Sequence, residues 1–342
     1  MEKDPQLAQA ALEAGVAAFH AGDHAAAAEH FARALRADPG RPEAHHYAGG
    51  VAFQAGRYRE ALERFEQACR LAPDQPLCHF DLAATHWRLG DNEAARRYCE
   101  RTLLLAPDLN PAHEFLAVLT LPGPIYLDLV PKIHLHLRPR TYMEIGVSTG
   151  DSLALIQSET RAIGVDPHPK VTRSLGPRTS IRATTSDDYF ATYDVAADLG
   201  GLPIDLAFID GMHQFEFALR DFINIEKHSS ARSTILIHDV YPLTRLTAER
   251  ERRTLFWSGD IWRLILILRK YRTELAVNVV AAAPTGLAIV RGLDPGSSVL
   301  SERYEEIVRE YLALDYSVLE AGKAEMLALF PNDWEQVQAL LD

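Results

Sequence analysis

Cysteine is scarce in this chain. Three occur among 342 residues, Cys69, Cys78 and Cys99, an odd number at spacings that fit no zinc pattern. A disulfide framework and a structural zinc are therefore excluded, and three reduced thiols acting as small apolar residues are expected. Long apolar runs are missing as well: none approaches the ~18 residues of a membrane helix, so no membrane partner is expected. The start, Met1-Glu2-Lys3-Asp4-Pro5, lacks the basic-then-apolar order of a secretory leader, which makes the cytoplasm the expected compartment. A basic surplus is also absent. Lys+Arg number 35 against 47 Asp+Glu, a formal net charge of −12, and such a field repels nucleic acid. No basic module hides in one part, since residues 1–120 hold 12 basic and 17 acidic side chains. What remains, 47% apolar and 24% charged residues, is the mix of a soluble globular protein. The length suits two or three domains.

The first third repeats itself. Gly22, Gly56 and Gly90 are spaced by 34, as are Ala27, Ala61 and Ala95, and Pro39, Pro73 and Pro107. Phe31 and Phe65 share a phase that Cys99 continues; Ala34 and Ala68 share another, continued by Thr102. Each unit reads as two amphipathic helices with glycine at the turn and proline ending the second. One unit cannot bury its apolar face alone, so several must stack. The period and its residues resemble the tetratricopeptide repeat. The resemblance implies three repeats plus a capping helix near 111–119, and a surface for a protein or peptide partner. A packing or dimerisation module is the alternative, which would make the chain a homo-oligomer. His45 and His46 are expected at the surface.

Leu121-Pro122-Gly123-Pro124 is a breaker cluster, so the expected domains are 1–122, 123–293 and 294–342. Beyond it short apolar runs alternate with helix-length segments: Tyr142–Val147, Ala162–Val165, Ile204–Ile209 and Thr234–Ile237, with Gln214–His228 as one helix. Such alternation predicts an α/β fold with a mostly parallel sheet. Val277–Ala283 and Leu287–Val290 are too close for a crossover and must form an antiparallel hairpin. The C-terminal part reads as two helices, over 301–321 and 323–341.

Ligands of such sheets sit beyond the carboxyl ends of the strands. Those positions hold Glu144, Gly146, Ser148, Thr149 and Gly150, where the first strand is expected to turn into a helix. Next come Asp166, Ser186-Asp187, Asp210-Gly211-Met212-His213 and His238-Asp239. Asp166 is placed to accept from a ribose diol, as in NAD-binding sheets too. Against NAD, the loop lacks G-x-G-x-x-G, and Glu144 would repel a pyrophosphate while suiting an amino group and a sulfonium.

Together the E-x-G-x-x-x-G loop, Asp166 and the terminal hairpin resemble class I S-adenosylmethionine-dependent methyltransferases, Rossmann-like folds with seven strands. Phe208-Ile-Asp-Gly-Met-His213 with His238-Asp239 resembles the FIDGxH…HD subgroup, which includes small-molecule O-methyltransferases. The resemblance implies that Glu144, Gly146 and the loop through Ser148, Thr149 and Gly150 line the methionine part of the cofactor. It puts the ribose on Asp166, the adenine amino group at Ser186-Asp187, and Asp210 beside the cofactor. It further implies His213 as general base and a divalent cation, Mg²⁺ or Mn²⁺, on Asp210, Asp239 and His238. His238 stands where relatives often carry an acid, and imidazole suits Mn²⁺ better than Mg²⁺. The implied reaction is O-methylation of a small polyhydroxylated or glycosylated acceptor. The rivals are a protein methyltransferase fed by the repeats and a repeat scaffold with a degenerate domain. A redox enzyme on a similar sheet ranks last, as no iron triad is present. Tyr241–Trp257 reads as an acceptor-covering loop containing a solvated helical face at 249–253, with Asp260 near a helix start and bordering the acceptor with Trp262. His134 and His136 read as structural.

Overall fold

The computed structural model describes residues 3–342, which divide into two compact units between residues 120 and 121. The first unit is built of α1 (Pro5–His20), α2 (His24–Ala37), α3 (Pro42–Gln54), α4 (Tyr58–Leu71), α5 (Pro76–Arg88), α6 (Asn92–Leu105) and α7 (Asn110–Thr120). Helices pair as hairpins whose turns hold Gly22, Gly56 and Gly90 at φ of 80°, 72° and 84°, a region costly for other residues. Asp23 and Asp91 then cap the next helix by accepting from the backbone three residues on. Pro39, Pro73 and Pro107 lie just beyond the ends of α2, α4 and α6.

Inside each hairpin a small residue faces a large one. A Cβ added at Gly15 would lie 2.5 Å from the Phe31 ring, and one at Gly49 would lie 2.8 Å from the Phe65 ring. In the third hairpin the aromatic gives way to the smaller Cys99, and the position matching the glycines holds Ala83, both fully buried. The expectation of surface histidines needs correction. His45 is buried, with Nε2 2.9 Å from the Pro39 carbonyl; His79 and His113 repeat the contact with Pro73 and Pro107 at 2.7 and 2.8 Å. These histidines are themselves spaced by 34 and tie each inter-repeat loop to the next helix. His46 is half-buried and lies 2.5 Å from Asp81.

The second unit opens with α8 (Tyr126–Leu137) and contains β1 (Thr141–Ile145), β2 (Arg161–Val165), β3 (Thr179–Arg182), α9 (Ser186–Thr192), α10 (Val195–Asp198), β4 (Ile204–Ile209), α11 (Phe215–Lys227), β5 (Ser229–His238), α12 (Trp262–Tyr271), β6 (Ala276–Val280) and β7 (Leu287–Arg291). It ends with α13 (Val299–Glu302), α14 (Tyr304–Leu312), α15 (Lys323–Met326), β8 (Leu329–Phe330) and α16 (Trp334–Leu341). The sheet order is β3-β2-β1-β4-β5-β7-β6-β8. The first five strands in sequence run parallel, and β7 is antiparallel to both β5 and β6. Alternation sends Met143, Ile163, Ala207, Ile235 and Val290 to one face, against α11, α12 and α14. Tyr142, Ala162, Leu206, Leu236 and Ile289 pack on the other face with Leu129 and Ile133 of α8 and Val337 and Leu341 of α16. The result is a three-layer sandwich.

Four expectations change. The sheet has eight strands rather than seven, because β8 pairs with β6. Residues 294–342 are not two long helices but short pieces, of which Leu300, Ile307, Tyr311, Leu319 and Leu327 complete the core. They are part of the second unit. The boundary falls before Leu121, whose side chain is fully buried in that same core. The segment after β1 makes only one 3₁₀ turn, Leu153–Leu155, because Gly146, Ser148 and Gly150 all take positive φ. No helix among the described residues is long and apolar enough to cross a membrane.

The Gly49–Phe65 contact gives a direct test. Gly49→Ala should lower stability by about 1–3 kcal/mol through overpacking, read from thermal unfolding. A wild-type melting profile would show that the ring moves aside freely.

Candidate active site

The strand order reverses at β1, whose neighbours are β2 and β4. A crevice opens beyond the carboxyl ends of such strands. Its floor is tight: a Cβ at Gly146 (φ 88°) would lie 2.1 Å from the Asp210 carbonyl oxygen, so only glycine fits. Above this floor lies a cavity of about 750 Å³, large enough for a nucleoside ligand. Gly146, Ser148, Thr149, Asp166, Ser186, Asp187, Asp210, His213, His238 and Asp239 all border it. Those positions, dispersed over nearly 100 residues of sequence, meet at one rim.

Glu144 and Gly150 do not border the cavity, a correction to the expected cofactor set. Glu144 is fully buried and accepts hydrogen bonds at 2.7 Å from the Tyr142 and Ser152 hydroxyls. Burial pushes its carboxyl up to about 8, against the pull of those two donors and with a further push from Asp210. Gly150 closes the turn, with its nitrogen bonded to the Val147 carbonyl. Asp166 accepts three backbone N–H groups, from Val147 and Ser148 at Oδ2 and His168 at Oδ1, at 2.7–2.9 Å. A carboxylate offers about four lone-pair sites, which leaves room for one more donor. Asp187 is gripped by both ends of the Arg220 guanidinium, at 2.8 and 2.7 Å.

At the other end two carboxylates meet two imidazoles. His213 stacks on Trp257 with ring centroids 5.1 Å apart, and its Nδ1 lies 3.1 Å from the Trp257 carbonyl. A carbonyl only accepts, so Nδ1 carries the proton. The other nitrogen, Nε2, faces Asp239 at 3.2 Å and Asp210 at 3.9 Å. Ligand atoms of Asp210, His213 and Asp239 all lie within 4.8 Å of one another. Three ligand atoms converging in this way suit a shared cation, either a proton or a metal ion. Asp239 holds φ at 58°, a strained setting for a non-glycine residue.

His238 is a different kind of group. Its Nδ1 lies 3.2 Å from Asp210 and 3.5 Å from Asp239, its Nε2 3.4 Å from the Thr285 hydroxyl, and its ring 4.0 Å from that of Tyr126. Burial alone would push this imidazole down, but the Asp239 and Asp210 carboxylates together outweigh it and hold it up at about 10. Asp239 answers in kind: against its burial, His238 and His213 beside it hold its carboxyl below the usual carboxylate range. The two carboxylates thus favour the charged form of His238, and it stands outside the Asp210–His213–Asp239 group whose ligand atoms lie within 4.8 Å of one another. Tyr126, Trp257 and Thr285 escaped the sequence reading because their contacts cross between distant elements.

The covering segment also differs. Residues 249–253 are not helical; Arg250 instead reaches Glu216 at 2.5 Å and Asp260 at 2.7 Å. Asp260 is fully buried and accepts from the Phe215 nitrogen at 2.8 Å, so it caps α11 rather than α12. Neither Asp260 nor Trp262 borders the cavity. His134 is buried against Tyr142, and His136 pairs with Asp342 at 2.9 Å, both away from the cavity.

Residues 143–240 match the family model of a methyltransferase domain, and residues 2–42 and 52–119 match models of the tetratricopeptide repeat. The chain is thus a fusion of tetratricopeptide repeats with a methyltransferase domain. No curated protein matches it. Among solved structures, the first repeat domain of Spaghetti (RPAP3), bound to the HSP90 peptide SRMEEVD, is 23% identical. It covers 33% of this chain and 89% of its own, with a TM-score of 0.32. MamA from Desulfovibrio magneticus is 20% identical over 33% and 64% of the two chains, with a TM-score of 0.32. The Arabidopsis OM64 repeat domain is 13% identical over 33% and 94%, with a TM-score of 0.33.

Glu144 supplies a pH test. With its folded carboxyl at about 8 against an ordinary 4.5, the folded protein holds a proton there that the unfolded chain releases. The group's contribution is complete below the lower value and lost as pH rises through the upper one. In urea unfolding, Glu144→Gln should gain stability relative to wild type between about pH 5 and pH 8.5. A difference constant over that range would contradict the burial argument.

Proposed function

We propose that the methyltransferase domain uses S-adenosylmethionine and delivers the methyl group to a hydroxyl oxygen of a small polyhydroxylated or glycosylated acceptor. The observation that carries this reading is the shared rim: Gly146, Ser148, Asp166 and Asp187 border the same cavity as Asp210, His213 and Asp239. When bound, the cofactor supplies an electrophilic methyl on a cationic sulfur. The residual acceptor capacity of Asp166 suits a ribose hydroxyl, and the carboxylates near the centre favour a cation.

His213 Nε2 takes the acceptor's hydroxyl proton. The Trp257 carbonyl fixes the neutral tautomer whose Nε2 carries no proton, and Asp239 and Asp210 beside that nitrogen stabilise the imidazolium that forms. A cofactor held by Gly146, Ser148 and Asp166 would supply the methyl group to the deprotonated acceptor oxygen, its sulfur keeping the electron pair of the carbon–sulfur bond. Alignment in a dry cavity supplies much of the rate.

Asp210 and Asp239 also fit a divalent cation, Mg²⁺ or Mn²⁺, which would orient the hydroxyl and lower its pKa. Nε2 serves as base or as ligand but not both, and the base role is the one proposed here. The tetratricopeptide repeats favour a protein or peptide partner for the first unit. If that partner is itself the acceptor, the same site would methylate protein.

Calorimetric titration of the full chain should show S-adenosylmethionine binding. His213→Ala should keep that affinity within about 3-fold while product release across a panel of hydroxylated acceptors falls ~10²–10⁴-fold. Absence of binding would return the domain to a scaffold, and full activity in the variant would remove His213 as base.

A further inference from the structure

Arginines gather at the amino ends of the parallel strands, away from the catalytic rim. Arg140 precedes β1, Arg161 opens β2 and Arg178 precedes β3. The Arg161 nitrogen bonds to the Arg140 carbonyl at 2.9 Å, and the Ala162 nitrogen to the Arg178 carbonyl at 3.0 Å. The three therefore stand side by side on neighbouring strands, about 4.8 Å per strand. With Arg138 they border one pocket of about 330 Å³, at the small end of ligand sites. Carboxylates answer two of the four charges: Asp205 holds Arg140 at 3.0 and 3.1 Å, and Glu159 lies 3.5 Å from Arg178. Among the described residues, the Arg138 and Arg161 guanidiniums have no hydrogen-bond or ion-pair partner. Arg161 is nonetheless held in place. Its guanidinium lies against Gly200, where an added Cβ would sit 3.3 Å from the guanidinium carbon. All four arginines are exposed, so a diffusing ligand can reach them. Like charges gathered in this way repel, and an anion between them removes the repulsion. The surplus is local, in a chain whose net charge is −12.

We infer that this pocket binds a diphosphate group, with Arg138 and Arg161 donating to its oxygens and Arg140 and Arg178 keeping the rim positive. A guanidinium is a planar fork that donates to two phosphoryl oxygens at once. Two unpaired forks along a row of strands fit two linked phosphoryl groups better than one carboxylate. Pro139, Leu199 and Leu202 give the pocket an apolar wall, which suits the organic part of a diphosphate ester. The pocket shares no lining residue with the methyl-transfer cavity. It lies a strand length away, roughly 16 Å for five residues, so the inference does not depend on the proposed cofactor or acceptor.

The test is calorimetric titration of the full chain, in metal-free buffer of low ionic strength, with pyrophosphate, ADP and inorganic phosphate. Wild type should bind pyrophosphate at one site per chain, and inorganic phosphate at least about 10-fold more weakly. ADP bound as tightly as pyrophosphate, or more so, identifies the ligand as a diphosphate ester; weaker ADP binding identifies free diphosphate. Either result supports the site. Arg138→Gln combined with Arg161→Gln should weaken pyrophosphate at least about 10-fold. Arg33→Gln with Arg59→Gln removes the same charge from exposed positions of the first unit and should leave affinity within about 2-fold, since exposed charges beyond a Debye length are largely screened. All four positions are exposed, so the variants should fold. No binding of pyrophosphate by wild type would overturn the inference. So would an equal loss in both double variants, the mark of general charge attraction, or inorganic phosphate bound as tightly as pyrophosphate.

Discussion

Where β1 and β4 leave the sheet, nothing larger than hydrogen fits between Gly146 and the carbonyl of Asp210. That closeness makes one rim out of two separate strand ends. The loop after β1 is bent over Asp166 by three backbone hydrogen bonds. On the far side of the same contact, β4 presents Asp210 and, one turn on, His213 to Asp239 at the end of β5. Parallel pairing holds these strands in register, so the site inherits its rigidity from the sheet.

The rim is also an electrostatic balance. Asp210 and Asp239 are brought together inside a mostly buried corner, where two like charges repel strongly. His238 lies beneath them, its charged form favoured by both carboxylates, and Tyr126 packs on the imidazole from the side. Its position leaves His213 as the imidazole that faces the cavity with exchangeable bonding capacity. Two histidines that each follow a strand of the same sheet are therefore assigned unlike tasks by their surroundings.

Much of this was legible beforehand because the signals were local or periodic. A 34-residue recurrence of Gly, Ala and Pro specifies the helical hairpins, and runs such as Ile204–Ile209 end in the polar residues that reach the cavity. What sequence could not give were contacts between distant elements. Glu144 looks like a ligand-facing acid, but alternation along β1 turns it inward to Tyr142 and Ser152. Asp260 looks like a cap for the helix it precedes, yet it caps α11, 45 residues earlier. β8 has two residues, too few to register as a run.

The account is tested most directly by a crystal structure of the full chain with S-adenosylhomocysteine. It predicts the nucleoside in the cavity over Gly146, the ribose hydroxyls at Asp166, and the sulfur turned toward His213 Nε2. A ligand lodged elsewhere, or a sulfur directed away from the Asp210–His213–Asp239 corner, would contradict it.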